Sequence, residues 1–269
     1  MGLLELVVIG NSLIYGGIMN TLTFIFLCFA GFLAAFVDSI VGGGGIISVP
    51  AYMIAGLPPH MVLGTNKFTA SMASLTSSIN FIKSGNCNLK FLKIVAPFTL
   101  IGSILGVKAV LLLDESFLQP LVLVLVLAIG IYTFFSKSIG EEDNFKGLNK
   151  KNITISIIFA FSLGFYDGFF GPGTGSFLIF GLINILGFNF LKASANARVL
   201  NFISNIAALI TFAFSGNINY LIGIPVCVFM ILGAKLGTKL AINKGSKVIK
   251  PIFVTMSIAV AVKMLLQIF

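Results

Sequence analysis

Apolar residues run along this chain in long blocks separated by short polar breaks. The blocks cover about residues 21–41, 46–57, 61–83, 93–113 and 117–136, then 152–170, 174–188, 192–214, 218–239 and 248–268. A helix needs about 20 apolar residues to cross a hydrocarbon layer of roughly 30 Å, so most blocks predict one crossing each. The blocks 46–57 and 174–188 are too short for that. They predict half-helices after a break, or re-entrant elements buried in protein, because lipid does not tolerate unpaired backbone. The expected fold is an all-α, polytopic helical membrane protein with about eight spans plus short broken half-helices. Residues 1–20 read as a short N-terminal helix that either crosses or lies at the interface, since its apolar run carries Glu5 and Asn11. The clearly polar stretch, 137–151, holds Glu141, Glu142, Asp143 and several lysines, and predicts a cytoplasmic linker.

The pattern also repeats itself about 131 residues on. Asp38 followed by Gly42, Gly43, Gly44 and Gly45 answers Asp167 followed by Gly171, Pro172, Gly173, Thr174 and Gly175. Further along, Ser84-Gly85-Asn86 maps onto Ser215-Gly216-Asn217, Gly102 and Gly106 onto Gly233 and Gly237, and Pro120 onto Pro251. The halves are therefore 21–136 and 152–269. Charge sets equivalent loops on opposite sides of the membrane. The loop at Lys83, Lys90 and Lys93 is basic, whereas its counterpart, Ser215 to Asn219, is uncharged. Asp114 and Glu115 are acidic, whereas Lys239, Lys244, Lys247 and Lys250 make their counterpart basic. Basic loops face the cytoplasm, so two inverted-topology repeats are expected.

Composition agrees, with 58% hydrophobic and 9% charged residues and a mean hydropathy of +1.09. The net charge of +9 lies mostly at span ends and in loops, which suits anionic lipid and excludes a nucleic-acid surface. No cleaved signal peptide is expected, because neither a leading positive charge nor a small-residue cleavage site precedes the first long run. Three scattered cysteines (Cys28, Cys87, Cys227) and one histidine predict no disulfide framework, no metal site and no cofactor.

Chemistry concentrates at the breaks. Each glycine run leaves backbone groups that must be met, either by close helix packing or by a ligand on the N-terminus of the following half-helix. Because both halves carry the break, two such termini can converge on one anion. Asp38 and Asp167 are the acids within the apolar core of the repeats, and Lys67 and Arg198 are the equivalent bases. Buried charge near the bilayer centre costs roughly 2.5–3.5 kcal/mol on insertion scales, so such residues face partners or a wet cavity. One reading pairs Asp38 with Lys67 and Asp167 with Arg198 as structural locks. The other gives Lys67 and Arg198 to an anionic substrate, while Asp38 and Asp167 gate or couple protons. Polar residues crowd the helices around these bases, and many are expected to hydrogen bond between helices. Asn66, Asn201 and Asn205 are expected to line the cavity. His60, in Pro58-Pro59-His60, reads as a loop or interface residue.

At these residues the chain resembles the sulfite exporter TauE/SafE family, particularly its YfcA-like branch. The matching signatures are Val37-Asp38-Ser39-Ile40-Val41 with Gly42 to Gly45, Gly56-Leu57-Pro58-Pro59, and Leu63-Gly64-Thr65-Asn66-Lys67. The second half contributes Gly164-Phe165-Tyr166-Asp167-Gly168-Phe169-Phe170-Gly171-Pro172, Leu200-Asn201-Phe202 and Ser204-Asn205. The resemblance implies a multi-pass transporter of the plasma or inner membrane, not an enzyme. Family members are associated with small sulfur-containing anions such as sulfite, sulfoacetate and other organosulfonates. The function expected here is secondary transport of such an anion, with proton coupling open. In that reading Gly42, Gly43, Gly44, Gly45, Gly171, Gly173 and Thr174 shape the cradle. Lys67 and Arg198 balance charge, and Asn66, Asn201 and Asn205 orient oxygen atoms. The partners expected are the small anion and membrane lipid, with no nucleic acid; a homodimer is compatible. Two alternatives stay open. An anion channel would use the same lining. An intramembrane aspartyl protease would use Asp38 and Asp167 as a dyad, although only Tyr166-Asp167 fits such a signature.

Overall fold

The computed structural model describes residues 21–118, 121 and 142–244. Its main helices are α1 (Thr21–Val41), α2 (Gly45–Ile54), α3 (Pro59–Lys83) and α4 (Leu89–Val110), then α5 (Lys150–Phe169), α6 (Thr174–Leu186), α7 (Phe190–Phe214) and α8 (Tyr220–Lys244). The expected N-terminal helix, the span 248–268 and nearly all of the span 117–136 lie outside the described residues. Local chemistry sets the starts. The side chains of Asn88, Asn149 and Asn189 accept backbone N–H groups of the first turns of α4, α5 and α7. Asn219 does the same for Ile222 at α8. Each such cap is worth about 1 kcal/mol.

The protein is multi-pass: α1, α4, α5, α7 and α8 are long and apolar enough to cross a membrane. The predicted span 61–83 differs in composition from these five. It becomes the 25-residue α3, whose polar residues exclude it from the apolar spans. Instead α3 lies against α7 in the interior, with Thr65, Lys67, Thr69, Ser71 and Ser74 buried. Bulky apolar side chains point the other way. Leu22, Ile25 and Phe29 of α1 and Leu221, Ile224, Val228 and Leu232 of α8 are exposed, as expected where lipid is the solvent.

Glycine brings backbones together at two helix pairs. Gly102 and Gly106 of α4 sit on the Phe161 and Phe165 carbonyls of α5, and Gly233 and Gly237 of α8 on the Phe32 and Phe36 carbonyls of α1. Contact positions rise together in each pair, so α4 runs parallel to α5 and α8 to α1. By contrast α3 and α7 are antiparallel, since Lys67 meets Asn205 while Ser78 donates to the Arg198 carbonyl. A Cβ at Gly106 would press on the Phe165 carbonyl and lie 2.7 Å from Phe169 N. Gly106→Ala is therefore expected to destabilise the purified protein by about 1–3 kcal/mol, the usual cost of overpacking. Unfolding in detergent followed by circular dichroism checks this, and a neutral result contradicts the packing.

At one end of the bundle the polar linker straps the corner between α6 and α7. Asn144 N–H donates to the Gly187 carbonyl and Lys146 N–H to that of Leu186, both at 2.8 Å, while Lys192 pairs with Asp143 at 2.5 Å. At the other end His60 Nε2 lies 3.2 Å from the Val110 carbonyl and Nδ1 3.5 Å from Glu115.

Candidate functional site

Each half makes a hairpin in which a long helix stops at a glycine break and a short helix turns back. α1 breaks at Gly42 and Gly43, with φ of +84° and +88°, before α2; α5 breaks at Gly171 and Gly173, with φ of +100° and +84°, before α6. Only glycine takes these values cheaply. The N-cap residues of α2 and α6 are glycines, Gly44 and Gly173, with no side chain to cap the first turn. A cavity of about 30 Å³ lies between the two breaks, where one water needs about 10–15 Å³.

Most of the sequence-predicted residues meet there. Asp38, Gly43, Gly44, Gly45, Asn66, Lys67, Asp167, Gly171, Gly173, Asn201 and Asn205 line the cavity. Gly42, Thr174 and Arg198 do not. Gly42 is packed against Gly175 and Ser176, and the wholly buried guanidinium of Arg198 is pressed between Gly42 and Gly175. Thr174 Oγ1 donates to the Gly171 carbonyl and closes the second break. Ser48 was missed. It lines the cavity and donates to Asn66 Oδ1 at 2.6 Å. Its signal was a hydroxyl in the first turn of a half-helix, where the register-equivalent residue is Phe177. Ala35, Ala70, Ala73 and Met230 complete an apolar wall.

The charges pair across the halves, not within them. Lys67 Nζ lies 2.9 Å from Asp167 Oδ1, and Arg198 Nη1 lies 2.5 Å from Asp38 Oδ2. This corrects the expected pairs Asp38–Lys67 and Asp167–Arg198. The reason is depth. Ser39 bonds Ser77, and Ser78 bonds the Arg198 carbonyl, so the tip of α1 lies level with Arg198. Lys67 lies 11 residues back along α3, about 16 Å at 1.5 Å per residue. There it meets the tip of α5 and donates to Asn205 Oδ1 at 3.1 Å. Each carboxylate thus faces a base, unlike the two acids of a dyad that share one proton.

The crowded hydroxyls divide into two groups. Ser71, Ser74, Thr76 and Thr211 donate to carbonyls of their own helices four residues back, a local bond that competes with interhelical ones. Others bond across elements: Ser39 with Ser77, Tyr52 with Thr69, Ser78 to the Arg198 carbonyl, Ser103 to the Ser204 carbonyl, Ser176 to the Val41 carbonyl and Ser194 to the Ile40 carbonyl. Two more are equivalent by the repeat. Asn88 N–H donates to Asn196 Oδ1, as Asn219 N–H does to Thr65 Oγ1.

A family model described as sulfite exporter TauE/SafE matches residues 27–264. The chain belongs to the TauE/SafE family. A "Probable membrane transporter protein" of Haemophilus influenzae is 39% identical to this TauE/SafE chain over 234 residues, 87% of the chain and 91% of that protein. The "Probable membrane transporter protein YfcA" of Escherichia coli K12 is 37% identical over 239 residues, 89% of this chain and 88% of the relative. "Probable membrane transporter protein ORF9" of a Sinorhizobium species is 38% identical over 240 residues, 89% of this chain and 91% of the relative. No solved structure matches. Family and relatives agree on the class: this TauE/SafE protein is a membrane transporter, not an enzyme.

Proposed function

We propose that this transporter carries a small sulfur oxyanion or organosulfonate, of the sulfite or sulfoacetate kind, by alternating access between two inverted halves. The observation that carries the reading is the position of Lys67. Its ammonium lines a small cavity at the junction of two half-helix N-termini, a combination that favours an anion. Asn66, Asn201, Asn205 and Ser48 supply hydrogen bonds around it. Inversion is supported by helix direction, since α1 runs with α8 and α5 with α4 while α3 and α7 oppose one another. The bundle end with Lys83, Lys90, Lys93, Lys150, Lys192 and Lys244 is the cytoplasmic one by the positive-inside rule. Glu115 and His60 mark the outer end.

The test is thermal unfolding of the detergent-purified protein across sulfite, thiosulfate, sulfoacetate, taurine, sulfate and phosphate. A ligand present at 100 times its Kd stabilises the folded state by about 2.7 kcal/mol. At least one sulfur anion is expected to raise the midpoint, and Lys67→Gln to remove that rise. A flat response across the panel rejects the substrate class.

A further inference from the structure

The two ion pairs are equivalent in the repeat, but their hydrogen bonding differs. Asp38 uses both oxygens: Oδ2 takes Arg198 Nη1, and Oδ1 accepts the Gly44 N–H at 3.0 Å. Asp167 uses one: Oδ1 takes Lys67, while Oδ2 is buried with no hydrogen-bond partner among the described residues. The breaks explain the difference. Gly44 has a right-handed φ of −53° and turns its N–H back onto Asp38. Its counterpart Gly173 is left-handed and follows Pro172, which has no N–H.

The bases differ too. Lys67 lines the cavity, whereas Arg198 is held behind it by Gly42 and Gly175. We propose that Asp167 is the single proton-accepting carboxylate of the site, that one proton enters with each monovalent anion, and that Asp38 with Arg198 is a fixed tie. This rests on the anion-carrier reading above.

Charge balance sets the stoichiometry. Asp38, Asp167, Lys67 and Arg198 sum to zero at the junction of the two breaks. A monovalent anion alone would leave one uncompensated charge there, which a membrane interior strongly disfavours. A proton from the aqueous side binds Asp167 Oδ2 and restores neutrality. Lys67 keeps its own protons and exchanges Asp167 Oδ1 for a substrate oxygen. A divalent anion would leave a residual charge, so within the class named above the preferred members are monovalent: hydrogensulfite or a sulfonate with no second acid group, rather than sulfate or the sulfoacetate dianion. Nearest Asp167 stand Lys67 on α3, Asp38 on α1, Arg198 on α7 and Tyr166 on α5. The buried Tyr52 of α2 follows, while His60 and Lys83 of α3, Lys150 and Lys151 of α5, Lys192 of α7 and Lys235, Lys239 and Lys244 of α8 lie toward the helix ends or surface. α6 carries none, and Lys90, Lys93 and Lys108 of α4 are exposed.

The experiment uses the full chain in proteoliposomes with radiolabelled methanesulfonate. This probe stays monovalent at working pH, so a coupled proton belongs to the protein. An inward acid gradient is expected to raise wild-type uptake several-fold, and an imposed membrane potential to leave it unchanged. Asp167→Asn should bring the ratio of uptake with and without the gradient to one, whatever its absolute rate. Asp167→Glu should restore the ratio, and Asp38→Asn should keep it above one whatever its absolute rate. The proposal is overturned if Asp167→Asn keeps the gradient response, if Asp38→Asn loses it, or if potential drives wild-type uptake. The last result needs no variant to fold. Absence of wild-type methanesulfonate exchange at every pH strikes the anion-carrier reading itself, a separate result.

Discussion

Lys67→Ala is expected to destabilise the protein by about 3–5 kcal/mol, the cost of leaving a buried charge without its partner. Asp167→Ala should lose a similar amount, and the double variant should recover most of it. Lys67 and Asp167 lie 2.9 Å apart with only 2% of each side chain exposed, so each is the other's main compensation for lost solvation. Arg198 and Asp38 should behave likewise, less steeply on the acid side because Asp38 is 22% exposed. Denaturant unfolding of the four single variants and the cross-combinations gives the coupling energies. Residues in one ion-pair network couple by about 0.5–3 kcal/mol or more, whereas independent sites add. A larger coupling for Lys67 with Asp38 than for Lys67 with Asp167 would reverse the pairing. The Lys67→Ala/Asp167→Ala protein should be folded yet inactive, since no cation then lines the cavity.

Gly42→Ala is expected to be strongly destabilising, because it adds a clash to a left-handed backbone. Its Cβ would press on Gly175 and Ser176 N and stand 2.9 Å from Arg198 Nη2, at a φ of +84°. Overpacking costs about 1–3 kcal/mol and the left-handed backbone another 1–2, so about 2–5 kcal/mol is expected. Gly56→Ala is the control, because its φ is +83° but nothing lies within 4 Å of its Cβ. It should show only the backbone part, about 1–2 kcal/mol. Apparent melting temperatures of the two variants separate the contributions; equal losses would mean that the breaks do not touch.

Length and apolarity made the lipid-crossing helices legible, and glycine runs after an acid made the hairpins legible. These signals are local and follow from the solvent. Pairing was not legible. The repeat relates Lys67 to Arg198 and Asp38 to Asp167, but says nothing of the depth at which antiparallel α3 and α7 present them. Depth is what crosses the pairs. The same limit hid the burial of Arg198 behind the breaks, which depends on Gly42 and Gly175 meeting across the halves. Hydroxyl partners were also underdetermined, because a serine such as Ser71 can satisfy itself on its own helix. Ser48 was readable only as a departure from the repeat.

Crossed pairing also bears on how the protein is made. A ribosome delivers Asp38 and Lys67 well before Arg198 and Asp167, so the first half enters the bilayer with an acid and a base whose final partners do not yet exist. The centre of the molecule is thus the last part to be completed, and biogenesis must shelter two membrane charges until translation has passed residue 198.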